Sequence, residues 1–414
     1  MSLFGAEQIL RPPSYGLPYL RGASVQEQTL DPGGVSVRDG TVATLAFDHR
    51  ADVLIDATGC AVVPGFVDCH THLPFAGWRS REYEQKLRGV PYAEISRGGG
   101  GIAASARALR ESSDEQVLDQ AGALAAEMLA AGTTCFECKS GYGLSREGEL
   151  RALRLASELA ERVAQSTTST ALLAHSVPTG FSADSWMDEV EAMLPAVLEL
   201  GAVSALDIFV ESIAFSNQDL TRMGSLARSA GVALRCHVEQ FASHRSVPVA
   251  LAAGARSVDH LSMLSGEDVE PLAGAECAAV LLPAAEFLGA EHRAPGRTLL
   301  DAGAIVVLAT DLNPGTAPVA SMPMVVGLGS RMYAMSAREA LAACTLNAAW
   351  TMGLHGELGS IEVGKRADLL VLDGPVEQVT YRLGRSPVAI ALMGGAAVYV
   401  RDSEAAARIT GPLG

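Results

Sequence analysis

Lysine is scarce in this chain of 414 residues, where Lys86, Lys139 and Lys365 stand beside 28 arginines. Any role that needs a lysine therefore has only three candidates. Blocks of like charge are also absent, because the net charge of −16 is spread along the chain. This distribution argues against a nucleic-acid or anionic-membrane partner.

Long apolar runs are missing as well. No stretch reaches membrane-spanning length, and the N-terminal MSLFGAEQILRPPSYG lacks a basic start followed by an apolar core. We therefore expect a cytoplasmic protein. Its 49% hydrophobic content and 42 glycines are typical of a globular enzyme with many loops.

The cysteines form no secretory framework. There are seven, an odd number scattered along the chain, and the CxxC at Cys135 and Cys138 has no second CxxC and no thioredoxin-like context. A structural zinc site or a redox pair is therefore not indicated. We expect reduced and mostly buried thiols.

Eight short β-branched or apolar runs end in polar residues, and most are followed by a segment with helical periodicity. They occupy residues 62–72, 133–143, 169–178, 204–212, 232–240, 256–262, 277–283 and 304–315. This alternation predicts a (β/α)8 barrel. A doubly wound sheet would need a glycine-rich phosphate loop, and the GGGG at 98–101 lacks GxGxxG spacing.

The two ends of the chain lie outside this repeat and carry short β-like runs such as GVSVRDGTVATL and AAVYV. We therefore predict a small discontinuous β-sandwich from residues 1–60 and 355–414, with the barrel at 61–354. Residues 336–354 are predicted to form one closing helix without chemistry of its own.

The run VVPGFVDCHTHL ends a strand-like segment on His70 and His72. Residues i and i+2 of a strand point to the same face, so both imidazoles can reach one ion. An exposed pair on a surface strand is the alternative. The remaining strand ends decide between the two.

Those ends carry further residues of metal-binding or acid-base type, at the rim where this fold places its chemistry. They are His175 after strand three, His237 after strand five, His260 after strand six and Asp311 after strand eight. Asp311 could instead cap a helix, but a carboxylate ending an apolar strand is costly to desolvate without a cation. Imidazole and carboxylate ligands suit one divalent metal, zinc or iron, which lowers the pKa of a coordinated water toward ~7.

One metal is favoured over two. Lys139 falls on strand two, not four, which does not support a carbamylated lysine bridging two ions. Glu211 ends strand four and could support a ligand or bind a second metal, and we favour the supporting role. Four other histidines are expected to be ordinary surface or capping residues: His49, His244, His292 and His355.

Longer motifs resemble those of the imidazolonepropionase family within the amidohydrolase superfamily. They are DCHTHLPFAGWRSREYEQKLRGVPYAEISRGGGGI, ECKSGYGL, AHSVP, HVEQF, VDHL and TDLNPGT, and they cover most of residues 62–320. The C-terminal GSIEVGKRADLLVLD also resembles the superfamily's return into its small β-domain. The resemblance implies a homodimer, because relatives are commonly dimers.

The resemblance also implies roles for individual residues. The implied metal ligands are His70, His72, His237 and Asp311, with His260 and Asp311 as catalytic acid-base groups. The implied substrate contacts are Arg79, Tyr92, Tyr142, His175, Gln240, Asn313, Gly315 and Thr316. Arg79 agrees with the chemistry, since a guanidinium offers two parallel donors to the propionate of that family's substrate. The implied reaction opens the ring of 4-imidazolone-5-propanoate and gives N-formimino-L-glutamate.

Two loops depart from the family pattern, namely ASHRSVPVA after HVEQF and PAAEFLGAEHRAPG after strand seven. Because both border the expected pocket, a related hydrolase or deaminase acting on another cyclic amide, amidine or heterocyclic amine is the alternative. A non-catalytic barrel that has kept its metal is a further alternative. The complete ligand set speaks against it.

Overall fold

A computed structural model describes residues 1–411, without the side chains of Tyr92, Ala93 and Ser96, and contains two β-sheets. The strands of the parallel sheet are β6 (Phe66–Asp68), β7 (Thr133–Lys139), β8 (Ser166–Ala174), β9 (Val203–Phe209), β10 (Ala233–Val238), β11 (Ser257–His260), β12 (Ala278–Leu281) and β13 (Ile305–Leu308). Those of the mixed sheet are β1 (Ser2–Arg11), β2 (Thr29–Arg38), β3 (Thr41–Thr44), β4 (Leu54–Asp56), β5 (Ala61–Pro64), β14 (Leu369–Leu372), β15 (Val388–Met393), β16 (Ala396–Val400) and β17 (Ile409–Thr410).

The parallel sheet is closed into a barrel. Its eight strands pair in chain order from β6 to β13, and a parallel bridge between Thr71 and Leu312 joins the two outer strands. The Asp68 carboxylate strengthens this seam by accepting hydrogen bonds from the Thr310 hydroxyl (2.6 Å) and backbone N–H (3.1 Å). The predicted (β/α)8 barrel is confirmed.

Helices follow most of the barrel strands, and shorter helices lie among the strands of the mixed sheet. They are α1 (Ala23–Gln26), α2 (Ser80–Leu87), α3 (Tyr92–Arg97), α4 (Ile102–Glu111), α5 (Asp114–Ala130), α6 (Arg146–Arg162), α7 (Ala183–Glu199), α8 (Asn217–Ala230), α9 (Ser246–Ala253), α10 (Val269–Ala273), α11 (Pro283–Phe287), α12 (Gly296–Asp301), α13 (Met322–Tyr333), α14 (Ala337–Ala343), α15 (Leu346–Thr351), α16 (Glu377–Tyr381) and α17 (Ser403–Ala407). Within residues 1–411, none of these helices has the length and apolar character needed to cross a bilayer.

Local sequence explains where the long helices begin. Ser113 starts α5 with a capping box, in which its hydroxyl accepts from the Gln116 N–H and the Gln116 side chain accepts from the Ser113 N–H. Ser182 and Ser216 start α7 and α8 in the same way. The barrel strands β7, β12 and β13 are buried along their whole length, as parallel strands covered by helices must be.

The mixed sheet is built from both chain ends, which confirms the small discontinuous domain. Its apolar face buries residues from distant parts of the sequence, among them Leu3, Val62 and Ile390. All seven cysteines are buried and none forms a disulfide.

Two predicted elements are each divided in the structure. The run at 62–72, predicted as one strand, changes sheets at Gly65, so that β5 pairs with β1 and β14 and only β6 belongs to the barrel. A Cβ at Gly65 would lie 2.1 Å from the Thr134 hydroxyl oxygen, so the crossing requires glycine. The barrel therefore begins after Pro64. The closing helix predicted at 336–354 is likewise two helices, α14 and α15, because Thr345 leaves the helical conformation (φ −129°, ψ −94°).

Candidate active site

A small cavity of about 40 Å³ lies at the carboxyl ends of the barrel strands. Most of the residues implied for catalysis and substrate binding line it: His72, Arg79, Tyr142, His175, His237, Gln240, His260, Asp311, Asn313 and Thr316. The side chain of Tyr92 lies outside the described residues. Three lining residues were not expected from the sequence, namely Ile102, Phe209 and Phe241.

Histidines from three strands meet Asp311 at the floor of this cavity. Asp311 Oδ1 lies 3.5 Å from His70 Nε2 and 3.3 Å from His72 Nε2, and the His70 and His237 ring centroids are 4.5 Å apart. Among the described residues, two triplets have all their ligand atoms within 4.8 Å of one another. They are His70, His72 and Asp311, and His70, His237 and His260.

The donor atoms of this cluster fit a divalent cation. His70 Nε2, His237 Nε2 and both carboxylate oxygens of Asp311 are buried and, among the described residues, have no hydrogen-bond partner. Polar atoms left in this condition are costly, and a shared cation would satisfy them together. Nitrogen and oxygen ligands of this kind suit zinc or iron.

The backbone is strained where it presents two of these side chains. His260 has a φ of 82° and Asp311 a φ of 55°, a region that non-glycine residues rarely adopt. At Asp311 the strain is held by the barrel seam, where the Asp311 N–H donates to the His70 carbonyl (3.0 Å) and the His72 N–H donates to the Leu312 carbonyl (2.9 Å). Strain supported in this way is typical of functional sites.

Burial sets the protonation of the cluster. It lowers the pKa of His70 and His72 well below the usual value and that of His260 to about 3, so these imidazoles are neutral near pH 7. Burial also raises the pKa of Asp311. A bound dication would oppose that rise by favouring the carboxylate.

Two carboxylates behind the cluster fix its tautomers. Asp259 Oδ2 lies 2.6 Å from His70 Nδ1, and Asp207 Oδ1 lies 3.0 Å from His237 Nδ1. Because a carboxylate accepts a hydrogen bond, each Nδ1 carries the proton and each Nε2 is left with its lone pair. Neither aspartate was predicted from the sequence, although an aspartate within an apolar strand is a signal for such a role.

Arg79 contributes a positive charge to the lining of the cavity. Its side chain is only 8% exposed, and the Nε and Nη1 donors are buried without a hydrogen-bond partner among the described residues. Its nearest acidic group is Glu82, whose Oε2 lies 3.7 Å from Nε. A guanidinium with two unused donors is suited to a carboxylate ligand.

The loop after β13 shapes the position of Arg79. Asn313 Oδ1 accepts hydrogen bonds from the backbone N–H groups of Gly315 (2.8 Å) and Thr316 (2.7 Å), which closes a tight turn. The guanidinium lies so close to this turn that a Cβ on Gly315 would be 1.8 Å from Arg79 Nη2. Only glycine leaves room for the arginine there.

Gly315→Ala is therefore expected to displace the guanidinium and to raise KM by up to about 10²-fold, the effect of a misplacement near 1 Å. The rate constant kcat should change less, because the acid-base groups are untouched. Steady-state kinetics measure both. Gly356→Ala is the matched control, since a Cβ at Gly356 meets no atom within 4 Å. Equal KM values for the two variants would contradict this account of Gly315.

His175 forms one wall of the cavity. Its ring stacks on His72 with centroids 5.3 Å apart and planes at 20°, and its Nδ1 donates to the Gly141 carbonyl (3.1 Å). Gly141 has a φ of 113°, and a Cβ there would lie 2.9 Å from His175 Nδ1. The same loop carries Tyr142, whose ring centroid is 5.3 Å from that of His175.

Glu211 holds the loop that follows Gln240. Its carboxylate accepts hydrogen bonds from the Phe241 N–H (3.0 Å) and the Ala242 N–H (3.2 Å), and it lies 2.7 Å from His244 Nε2. Glu211 is in neither ligand triplet, so the geometry gives it a supporting role. His244, expected to be an ordinary surface histidine, is the partner of this buried acid. The other three histidines outside the strand ends, His49, His292 and His355, do not line the cavity.

Comparison with known proteins gives a consistent result. The amidohydrolase family matches residues 61–399. The imidazolonepropionase of Rubrobacter xylanophilus is 43% identical over 345 residues, 82% of each chain. That of Pseudomonas entomophila is 41% identical over 340 residues, covering 81% of this chain and 84% of the relative. That of Serratia proteamaculans is 35% identical over 396 residues, covering 92% and 96%.

Solved structures share the fold at low sequence identity. A triazine hydrolase from Arthobacter aurescens has a TM-score of 0.73 at 17% identity and covers 97% of this chain and 94% of its own. A guanine deaminase from C. acetobutylicum has a TM-score of 0.70 at 15% identity, covering 96% and 99%. An adenosine deaminase from Xanthomonas campestris with bound zinc has a TM-score of 0.68 at 18% identity, covering 98% and 95%.

Proposed function

This chain belongs to the amidohydrolase family, among the imidazolonepropionases, and from that premise we propose that it hydrolyses 4-imidazolone-5-propanoate to N-formimino-L-glutamate in histidine degradation. One observation carries the proposal beyond the family. The buried Arg79 guanidinium, whose Nε and Nη1 donate no hydrogen bond within the described part of the chain, lines the same cavity as the His/Asp cluster. This arrangement fits a small cyclic amide that bears a carboxylate.

One divalent metal, zinc or iron, would be held by His70, His72, His237 and Asp311. When bound, that ion supplies Lewis acidity, which lowers the pKa of water toward ~7 and polarises a carbonyl. His70 and His237, the two imidazoles backed by carboxylates, would hold it through Nε2, and Asp311 would supply negative charge. Phe209, Phe241 and Ile102 narrow the cavity with apolar surface, which limits the entry of bulk water.

His260 and Asp311 accept the proton released by the attacking water and return it to the ring nitrogen. Attack of water on the ring carbonyl carbon releases a proton, and collapse of the tetrahedral carbon breaks the bond to the ring nitrogen, which needs one. Both side chains line the cavity, so the pair can hold the proton between the two steps. The neutral imidazole of His260 can accept it at a ring nitrogen.

The remaining lining residues orient the substrate. Arg79 binds the propionate, while Tyr142 and His175 flank the ring. Gln240, Asn313 and Thr316 offer amide and hydroxyl groups to its polar edge. Because these contacts fix the ring in one pose, they convert attack by water into an oriented reaction.

Purified protein loaded with zinc or iron should open the ring of 4-imidazolone-5-propanoate, followed as loss of ring absorbance. His260→Ala should slow the reaction by about 10²–10⁴-fold, the usual contribution of an acid-base group. Wild-type protein that turns over no faster than His260→Ala would contradict the proposal.

We also propose that the chain forms a homodimer and that it is located in the cytoplasm. Sedimentation velocity on the metal-loaded protein measures the oligomeric state, because a dimer has twice the chain mass of 43.0 kDa. Fractionation of cells that express the chain tests its location.

A further inference from the structure

An unbroken series of buried ion pairs lies beneath the candidate metal site. We define the basal network as Asp207, Lys139, Glu137, Arg235 and Asp259, in the order of their contacts. Lys139 Nζ is 2.7 Å from Asp207 Oδ2 and 2.9 Å from Glu137 Oε2. Arg235 Nη1 is 2.6 Å from Glu137 Oε1, and Arg235 Nη2 is 2.8 Å from Asp259 Oδ2. No member is more than 2% exposed.

The two ends of the basal network are the carboxylates that hold the metal-site imidazoles. Asp207 contacts His237 Nδ1, and Asp259 contacts His70 Nδ1. The network therefore connects two ligands that come from different strands, β10 and the loop after β6. Asp207 places one oxygen on the imidazole and the other on Lys139, whereas Asp259 Oδ2 contacts both His70 Nδ1 and Arg235 Nη2. Neither carboxylate can turn away from its imidazole without disturbing an ion pair.

Such a network is a costly way to stabilise a barrel. Moving charges from water into the interior carries a desolvation penalty that ion pairing often fails to recover, and apolar side chains of similar volume would serve packing at least as well. The charges nevertheless persist.

We propose that Glu137, Lys139 and Arg235 are positioning residues for the metal site. They hold the carboxylates of Asp207 and Asp259 in place, so that both imidazoles keep the Nδ1–H tautomer and aim Nε2 at one ion. This gives a role to Lys139, one of only three lysines in the chain. The inference rests on the proposed function only in taking His70 and His237 as metal ligands.

Lys139→Met removes the cation beside Asp207 and keeps a side chain of similar length. Lys365→Met is the matched control. Lys365 is also nearly buried and ion-paired, with Nζ 2.9 Å from Glu362 Oε1, but it lies in the segment leading to β14 of the mixed sheet. Both variants lose a buried ion pair, and only Lys139→Met disturbs the basal network.

Zinc affinity, measured by competition with a chelator, and the visible spectrum of the cobalt-substituted protein are the two readouts. Lys139→Met should weaken zinc binding by about 10-fold or more and change the cobalt spectrum, since partners of metal ligands contribute ~10–100-fold. Lys365→Met should change neither. Lys139→Met with the affinity and spectrum of wild type would overturn the proposal.

Glu137→Gln is the second variant, in case Lys139→Met does not fold. It keeps the volume of the side chain and removes the anion that joins Lys139 to Arg235, and it should weaken zinc binding in the same direction. Unchanged affinity and spectrum in folded Glu137→Gln would likewise overturn the proposal. Neither readout uses substrate. Inactivity toward 4-imidazolone-5-propanoate would therefore contradict the proposed function without affecting the test of the basal network.

Discussion

Replacing Asp311 with asparagine is expected to lower kcat/KM by at least ~10³-fold while the protein stays folded. The amide keeps the shape of the side chain but loses the negative charge, so the site loses one metal ligand and one partner in proton transfer. Zinc content after dialysis should fall as well. Steady-state kinetics and metal analysis on the same preparation measure the two effects.

The same substitution is expected to raise the stability of the metal-free protein at higher pH. Burial raises the pKa of Asp311 above its unfolded value, so the folded state holds this proton more tightly and stability is lost as pH rises through the folded pKa. Asparagine does not titrate, so the variant avoids this loss of stability at higher pH. Thermal unfolding of metal-free protein at increasing pH should therefore favour Asp311→Asn over wild type at the higher pH values.

Asp368→Asn is the matched control for both measurements. Asp368 is a buried carboxylate too, but it pairs with Arg366 in the segment before β14, and it accepts from the Gly394 N–H (3.0 Å). This variant should lose stability and keep kcat/KM. Asp311→Asn with near-normal activity, or with the same loss of stability as Asp368→Asn, would contradict the role given to Asp311.

Arg79→Met is expected to lower kcat/KM by about 10²-fold or more, mainly through KM. Truncating one partner of a buried, hydrogen-bonded charge pair costs roughly 2–5 kcal/mol, and about 1.4 kcal/mol corresponds to a factor of ten. The reacting bond is remote from the propionate, so kcat should fall less. Steady-state kinetics with 4-imidazolone-5-propanoate separate the two constants.

Arg81→Met controls for the loss of a neighbouring positive charge, because Arg81 lies in α2, two residues after Arg79, and is exposed. It should leave KM within about twofold of wild type, as exposed charges contribute little. A substrate analogue with an amide in place of the propionate should discriminate poorly between wild type and Arg79→Met. A loss with Arg81→Met as large as that with Arg79→Met would argue against a carboxylate site at Arg79.

The sequence predicted the cluster because the fold places strand ends together. Once eight runs were counted, His70, His237 and Asp311 had to meet at one rim, whatever the intervening helices did. The supporting residues were harder to predict. Asp207 and Asp259 lie within apolar strands, and their partners are set by contacts between strands, which residue spacing does not encode.

The other misses have the same origin. Gly65 divides one apolar run between two sheets because Thr134, far along the chain, leaves room only for glycine. Thr345 interrupts a stretch whose alanines and leucines predict one continuous helix. His244 has the sequence context of a surface loop, and only the fold brings it to Glu211. The cases of Gly65 and His244 depend on long-range contacts that override local preference.

Product identity tests the central claim most directly. Metal-loaded wild-type protein should convert 4-imidazolone-5-propanoate to a single product whose mass equals that of the substrate plus one water, with no ammonia released. This result means opening of the ring at its amide bond. Release of ammonia in step with substrate loss, or full recovery of the substrate, would contradict the account.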